Sequence, residues 1–520
     1  MLRKLLVLAG LLFATAAQAE WREIRTAHFL VYGEDTEARL RQFAEKLEKF
    51  NYVLRTYHNT PAPNAPNRLR VFLLPSIGAV EGMAGSRGVA GYYVREARGQ
   101  LLVGVLRIDA SRHIDSENVL LHEYTHHFMF QYFPATYPAW YVEGFAEFWG
   151  ETRFLANNVV EVGWPAEHRF ESFQLGRWLP VDRLLSAQSY GDVPEIDLLY
   201  AEGWLLVRRT FDDRERRQQL QLYLNAINQG VPNRDAATRA FGNLGRLNSE
   251  LYDYAGRGRF EVLRLPFREL PVGDVTVRTL RPAEQALIEY ELRFSQGAIS
   301  HREIADFARD VRSRAAAFPD DPFALGLLTE VERLAGNREA ASTAAERWIR
   351  ADPRSGRALM NQAFLRIEAL GTAGATDAAA WNAARQLIVR ANQLTPNDPL
   401  ILEAYYDSYR AQRVVPPEPA QAALYTAMEL APGDDELRFK VAIDFEQRDM
   451  IPDAIAIIRP VAFRSSHANE TERQRRRREA LREWHRTAGD ERHESAADML
   501  ARLQQRLAAN PPAPTPTNPN

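Results

Sequence analysis

Three pairs of residues, Ala341 and Pro353, Ala384 and Pro396, and Ala420 and Pro432, are each separated by 12 positions. The alanines recur at intervals of 43 and 36, and once more 34 positions on at Ala454. A small residue at such a period lets one helix cross another closely, and the proline after it closes the second helix. Units of this kind cannot bury their apolar face alone and must stack on one another. From about residue 280 the chain is therefore constrained to an array of helical hairpins, with "GTAGATD" as the insertion behind the 43-residue interval.

The first half has a different period. Glu23 to Gly33 reads as a strand, and Glu37 to Tyr57 carries Leu40, Phe43, Leu47, Phe50 and Leu54 at helical spacing. A turn, "PAPNAPN", leads to the strand "RLRVFLLP", and a Gly-rich loop (Gly78 to Gly88) precedes two β-rich runs, "AGYYVRE" and "QLLVGVLRI". Those runs read as a hairpin through Ala97-Arg98-Gly99, either at a sheet edge or in its interior. Asp115 and Ser116 are N-cap candidates for a helix through Val119 to Phe133. Pro134 and Pro138 then break the pattern, and a second helix starts near Trp140. Past Gly150 the chain to about Phe260 reads as mainly helical, with strand signals returning near "FEVLRLPF".

Arg3 and Lys4, an apolar run from Leu5 to Ala16 and the small-x-small end Ala17-Gln18-Ala19 have the order of a secretory signal. The run is too short to favour a spanning anchor, which needs about 20 residues. A cleaved leader with no cysteine in the whole chain points to the periplasm or to secretion, with stability resting on packed cores. A net charge of -3 gives no electrostatic reason for nucleic acid or an anionic membrane as partner. The run Arg475 to Arg478 is interleaved with Glu472, Glu479 and Glu483, as a solvated helix face would be. The expected organisation is a signal peptide over 1–19, an α+β domain over 20–270, helical repeats over 280–509 and a Pro-rich disordered tail over 510–520.

"LHEYTHH" places His122 and His126 four positions apart, on one face of a helix, with Glu123 beside them. Two histidines are an incomplete site, since catalytic zinc takes three protein ligands and keeps a fourth position open. Glu143, 17 positions after His126 on the next helix, is a third donor that the proline reversal can bring back onto the first helix. His127 points about 100° away from His126 and is a core or surface histidine. His113 lies just upstream, with nothing in its spacing that demands a role.

"HEYTH" followed by "WYVEGFAE" resembles the gluzincin zinc metallopeptidases, especially the M1-aminopeptidase-like and peptidase MA-like (DUF1570-like) families. The resemblance implies a zincin-like domain, a mixed sheet plus active-site helices, in which His122, His126 and Glu143 bind Zn2+ and Glu123 is the general base. Glu147, on the same face as Glu143, is either a partner of the second nitrogen of His122 or an exposed carboxylate. These families also place a tyrosine some sixty residues downstream to stabilise the oxyanion. Tyr200, in "YAEGW", matches except that Glu202 stands where the family has lysine; a packed helix tyrosine is the other reading, and Tyr190 is next in line. Such enzymes lay their substrate along an edge strand, a role open to the hairpin. "EGMAGS" (81–86) is not the amine-binding motif of the M1 aminopeptidases. The helical half is similar to tetratricopeptide (TPR) hairpins, although the Trp and Gly-Tyr positions of that repeat are mostly absent.

The reading that follows is an exported zinc-dependent peptidase with a peptide or protein substrate, whose TPR-like repeats recruit a protein partner or present substrate. The alternative is a TPR-type interaction or scaffold protein with an inactive or structural zinc domain.

Overall fold

The computed structural model describes residues 20–60, 67–95, 100–108, 115–258, 260–297, 299–300, 302–463 and 494–509. The leader, the Ala97-Arg98-Gly99 link, His113, Arg475 to Arg478 and the Pro-rich tail lie outside the described residues, as does most of "PAPNAPN". In chain order the first half runs β1 (Arg22–Arg25), β2 (Phe29–Gly33), α1 (Glu37–Tyr57), β3 (Leu69–Leu74), α2 (Ile77–Ala84), β4 (Tyr92–Val94), β5 (Leu101–Val105), α3 (Ser116–Tyr132) and α4 (Ala139–Gly150). It continues with β6 (Arg153–Phe154), β7 (Val159–Val162), α5 (Glu167–Gln174), α6 (Val181–Ser186), α7 (Ile196–Asp212) and α8 (Arg214–Asn228). Next come α9 (Asn233–Phe241), α10 (Leu244–Gly256), β8 (Leu263–Pro266) and β9 (Thr276–Thr279).

The main sheet has the order β4-β5-β3-β2-β1-β9. The β2–β3 and β3–β5 pairs are parallel and the remaining pairs antiparallel, so the sheet is mixed. β3 and β5 are buried along almost their whole length because both faces of the sheet are covered, as their unbroken apolar runs require. On one face α1 and α3 pack Leu40, Phe43, Leu47, Leu120 and Tyr124 against Ile24, Val31 and Val71. The other face, with Phe72, Leu101 and Val103, is covered by Ile288 and Leu292.

Three local expectations are corrected. Glu23 to Gly33 is a tight hairpin of β1 and β2, turned by the hydrogen bond from Thr26 N to Phe29 O (3.0 Å). The Gly-rich stretch contains a helix, α2, because Ser76 caps its first turn and Gly85 ends it in the left-handed region (φ 67°). The segment after Gly150 carries a second sheet, β6-β7-β8, whose strands are too short to stand out between helices.

The helical half comprises α11 (Pro282–Ser295), α12 (Ile304–Ala315), α13 (Pro322–Leu334), α14 (Arg338–Ala351), α15 (Gly356–Thr372), α16 (Ala378–Leu394), α17 (Pro399–Ala411), α18 (Glu418–Leu430), α19 (Asp435–Gln447), α20 (Ile451–Ala462) and α21 (Ala496–Ala509). It is a helical-repeat region. Ala341, Ala384, Ala420 and Ala454 are all buried, and they lie on α14, α16, α18 and α20, the second helices of successive hairpins. Asp321, Asp398 and Asp434 cap α13, α17 and α19, and the first two are followed by a proline at the first helical position. The cores pass from one hairpin to the next instead of meeting in a single centre.

α11 belongs to both halves: Ile288 and Leu292 cover the sheet while Leu287 and Phe294 join the first helical core. The array then returns to the first half. Asn67 bonds the Asn397 carbonyl (3.1 Å), Gln131 at the end of α3 bonds that of Leu430 (3.4 Å), and Arg459 bonds that of Asn228 (2.9 Å). No described helix is long and apolar enough to cross a membrane.

Candidate metal centre

α3 begins at its Asp115 cap, which accepts from Glu117 N (2.7 Å), and ends at Tyr132 ahead of the two prolines. α4 starts behind Pro138 and doubles back, so that a Cβ on Gly150 would stand 3.3 Å from the His122 Cα. α7 crosses α4 more closely still. A Cβ on Gly144 would lie 2.3 Å from the Gly203 carbonyl carbon, and one on Gly203 would lie 2.5 Å from the Trp140 oxygen. The glycines that follow Glu143 and Glu202 are thus where two helix backbones touch, and no side chain fits either position.

This crossing assembles the site. His122 Nε2 lies 3.1 Å from His126 Nε2 and 3.2 Å from Glu143 Oε2, and His126 Nε2 lies 3.5 Å from the same oxygen. A tetrahedral zinc ion with bonds of about 2.0–2.1 Å holds its donors about 3.3–3.4 Å apart, so the triangle has the size that zinc spans. Imidazole nitrogen and carboxylate oxygen are also the donor types zinc takes, and the residues present fit the ion.

Around the triangle, Tyr190 donates its hydroxyl to Glu143 Oε1, so this buried tyrosine is engaged in holding the carboxylate. Glu147 is buried, not exposed; its Oε1 is 3.6 Å from His122 Nδ1, beyond hydrogen-bond reach, and accepts from Arg169 Nε at 3.2 Å. His126 Nδ1 is buried with no hydrogen-bond partner among the described residues. Glu123 follows His122 on α3, and β4 begins flush against it: a Cβ on Gly91 would stand 3.0 Å from the Glu123 Cγ. Burial pushes its carboxyl up to about 7, and Glu143 and Glu147 add to the shift against the opposing effect of His126. A dication beside it would draw that value down again.

The Tyr200 ring lies nearly parallel to His122, 6.1 Å between centroids and 15° between planes. Burial, and after it Glu143, holds its hydroxyl well above the ordinary tyrosine value, so it stays protonated as a donor. Glu202 is two residues on and faces the core, where it accepts from Leu179 N. The carboxylate in place of the family's lysine therefore does not enter the site. His127 turns away to Tyr93 (3.1 Å), and burial lowers it to about 3. The hairpin runs are paired as β4 and β5, with β4 at the sheet edge.

Arg169, on α5, carries no sequence signal of its own: "EHRFESF" has neither a motif nor a clear apolar period. Its guanidinium carbon sits 4.2 Å from the Tyr200 ring centroid.

No family model matches the chain, and no curated protein matches it. Among solved structures it is similar to a thermophilic TPR protein of Thermus thermophilus, at 18% identity and a TM-score of 0.27 over 38% of this chain and 93% of that one. It is likewise similar to PilF of Pseudomonas aeruginosa (15%, TM-score 0.28, 44% and 93%) and to MamA (12%, TM-score 0.22, 38% and 98%).

Proposed function

We propose that this protein is an exported zinc-dependent peptidase of gluzincin type, whose helical repeats recruit a protein partner or present substrate. The observation that carries the reading is the convergence of His122, His126 and Glu143 at zinc-sized separations with Glu123 beside them. Zinc held there supplies Lewis acidity to a carbonyl and to water. Glu123 accepts a proton from the attacking water and returns it to the leaving amine. Tyr200 offers a neutral O–H to the oxygen on which negative charge develops, and Tyr190 keeps the Glu143 carboxylate oriented. The edge strand β4, flush with Glu123, offers main-chain groups to an extended peptide.

Metal analysis should find one zinc per wild-type chain and loss of zinc in His126→Ala; full zinc in that variant would sink the reading. Glu123→Gln should keep the zinc and lose peptide turnover. Tyr200→Phe should lower kcat about 10²-fold at unchanged zinc content, whereas Tyr190→Phe should weaken zinc binding about tenfold or more.

A second reading is an interaction or scaffold protein in which the repeats are the working part and the zinc domain is inactive or structural. What favours it is the repeat array itself, a stack of hairpins with a succession of cores, of the kind that presents an extended binding face. Wild-type and Glu123→Gln proteins that are equally without turnover on a broad peptide library would decide for it.

A further inference from the structure

Arg169 spends only part of its hydrogen-bonding capacity. Its Nε donates to Glu147 Oε1, and its guanidinium lies over the Tyr200 ring that stacks on His122. Neither terminal nitrogen has a hydrogen-bond partner among the described residues, and neither is sealed from solvent, since the side chain keeps 26% of its exposure. The outer edge of the guanidinium, two parallel N–H groups, is thus open beside the metal centre. Glu147 balances the charge through Nε and leaves that edge unused. Two parallel N–H donors match the two oxygens of a carboxylate, and such bidentate, charge-assisted pairs are stronger than neutral hydrogen bonds. Of the nearby carboxylates, Glu143 is engaged with Tyr190 and the two histidines and Glu147 with Arg169, and Glu123 is the base of the proposed reaction. The recognition capacity left beside the metal centre is therefore cationic, which suits a substrate that brings an anion.

We infer that Arg169 is a specificity residue which takes a carboxylate of the peptide substrate, either its free C-terminus or an acidic side chain beside the scissile bond. The inference rests on the hydrolase reading of the His122 site for its biological meaning, but its test does not depend on turnover.

Three fluorescein-labelled peptides of one sequence separate the sources: one with a C-terminal acid, one with a C-terminal amide, and one amide in which an internal alanine becomes aspartate. Binding to the full-length protein is read by fluorescence anisotropy, with zinc and after chelation, for wild type, Arg169→Gln and Arg169→Lys. Wild type should bind one of the two carboxylate peptides about tenfold or more tighter than the plain amide. Arg169→Gln should lose that preference, and Arg169→Lys, which keeps the charge without the fork, should retain part of it. Zinc content should be unchanged in both variants. Preference for the acid assigns the C-terminus, and preference for the aspartate peptide assigns the side chain. Equal binding of all three peptides by wild type overturns the inference, as does a preference that survives in Arg169→Gln. If Arg169→Gln does not fold, an undiminished preference in Arg169→Lys overturns it instead. Discrimination in binding with no cleavage of any peptide leaves Arg169 assigned and removes the hydrolase reading; cleavage without discrimination does the reverse.

Discussion

A buried cluster of ionisable groups around Lys440 in the repeats and the one around His122 in the first half are built differently. In the repeats, Lys440 is 2% exposed and lies 2.6 Å from Glu403, 2.8 Å from Asp407 and 3.3 Å from Glu436. Burial alone would lower its ammonium, but the three carboxylates hold it well above the ordinary lysine value, so the cluster carries its own cation. In the first half, the groups that converge are the imidazoles of His122 and His126 and the carboxylate of Glu143, and the guanidinium of Arg169 pairs with Glu147. One cluster pairs a buried ammonium with carboxylates; the other is a donor set with the dimensions of a metal shell. A list of buried charges would class them together, and only the chemical kind of each donor separates them.

The largest effect that would test the contrast comes from Lys440→Met, which removes the ammonium that Glu403, Asp407 and Glu436 share. It should destabilise the repeats by about 3–5 kcal/mol, read as a lower urea midpoint, with zinc content untouched. Chelation should act on the other cluster, lowering the melting temperature of the first half while leaving the Lys440→Met defect unchanged. If both treatments shift the same transition by the same amount, the two clusters are not independent and the contrast fails.

A smaller pair of changes compares how tightly the halves are packed. Gly144→Ala forces a Cβ to within 2.3 Å of backbone, whereas Gly326→Ala meets the Trp348 ring at 2.9 Å, a side chain that can shift. The first should cost about 3 kcal/mol or more and displace Tyr200 from His122, and the second about 1 kcal/mol, both read by denaturant titration.

The smallest expected effect is one of pH. Burial pushes the Glu202 carboxyl up to about 8 from an ordinary value of 4.5. An acid raised in the folded state keeps its proton there while the unfolded chain releases it, so stability falls as pH climbs from about 4.5 towards 8. Glu202→Gln should flatten that slope, raising the melting temperature at pH 8 by about 2 °C or more and changing it little at pH 4.

The convergence of His122, His126 and Glu143 was legible in the sequence because helical periodicity fixes which residues share a face, and two prolines announce a reversal. The repeats were legible for a similar reason, since a period is a local property that repeats itself. Arg169 and the Tyr190–Glu143 bond were not, because each depends on a later segment of the first half returning to α4, a contact across 22 or more positions with no period behind it. The Gly144–Gly203 crossing left only two Glu-Gly pairs as a trace. β9 was missed because a four-residue strand of mostly exposed residues takes its identity from the edge of β1 that it pairs with.

α11 has a consequence for how this protein can be handled and inherited. Because Ile288 and Leu292 roof the sheet face that holds Phe72, Leu101 and Val103, a gene fragment ending before Pro282 would encode a first half with that apolar face bared to water. Its expression alone should give aggregates, and an exchange of the repeats for others would succeed only if the junction fell after Ser295. The natural seam for recombination thus lies one helix later than the change of architecture.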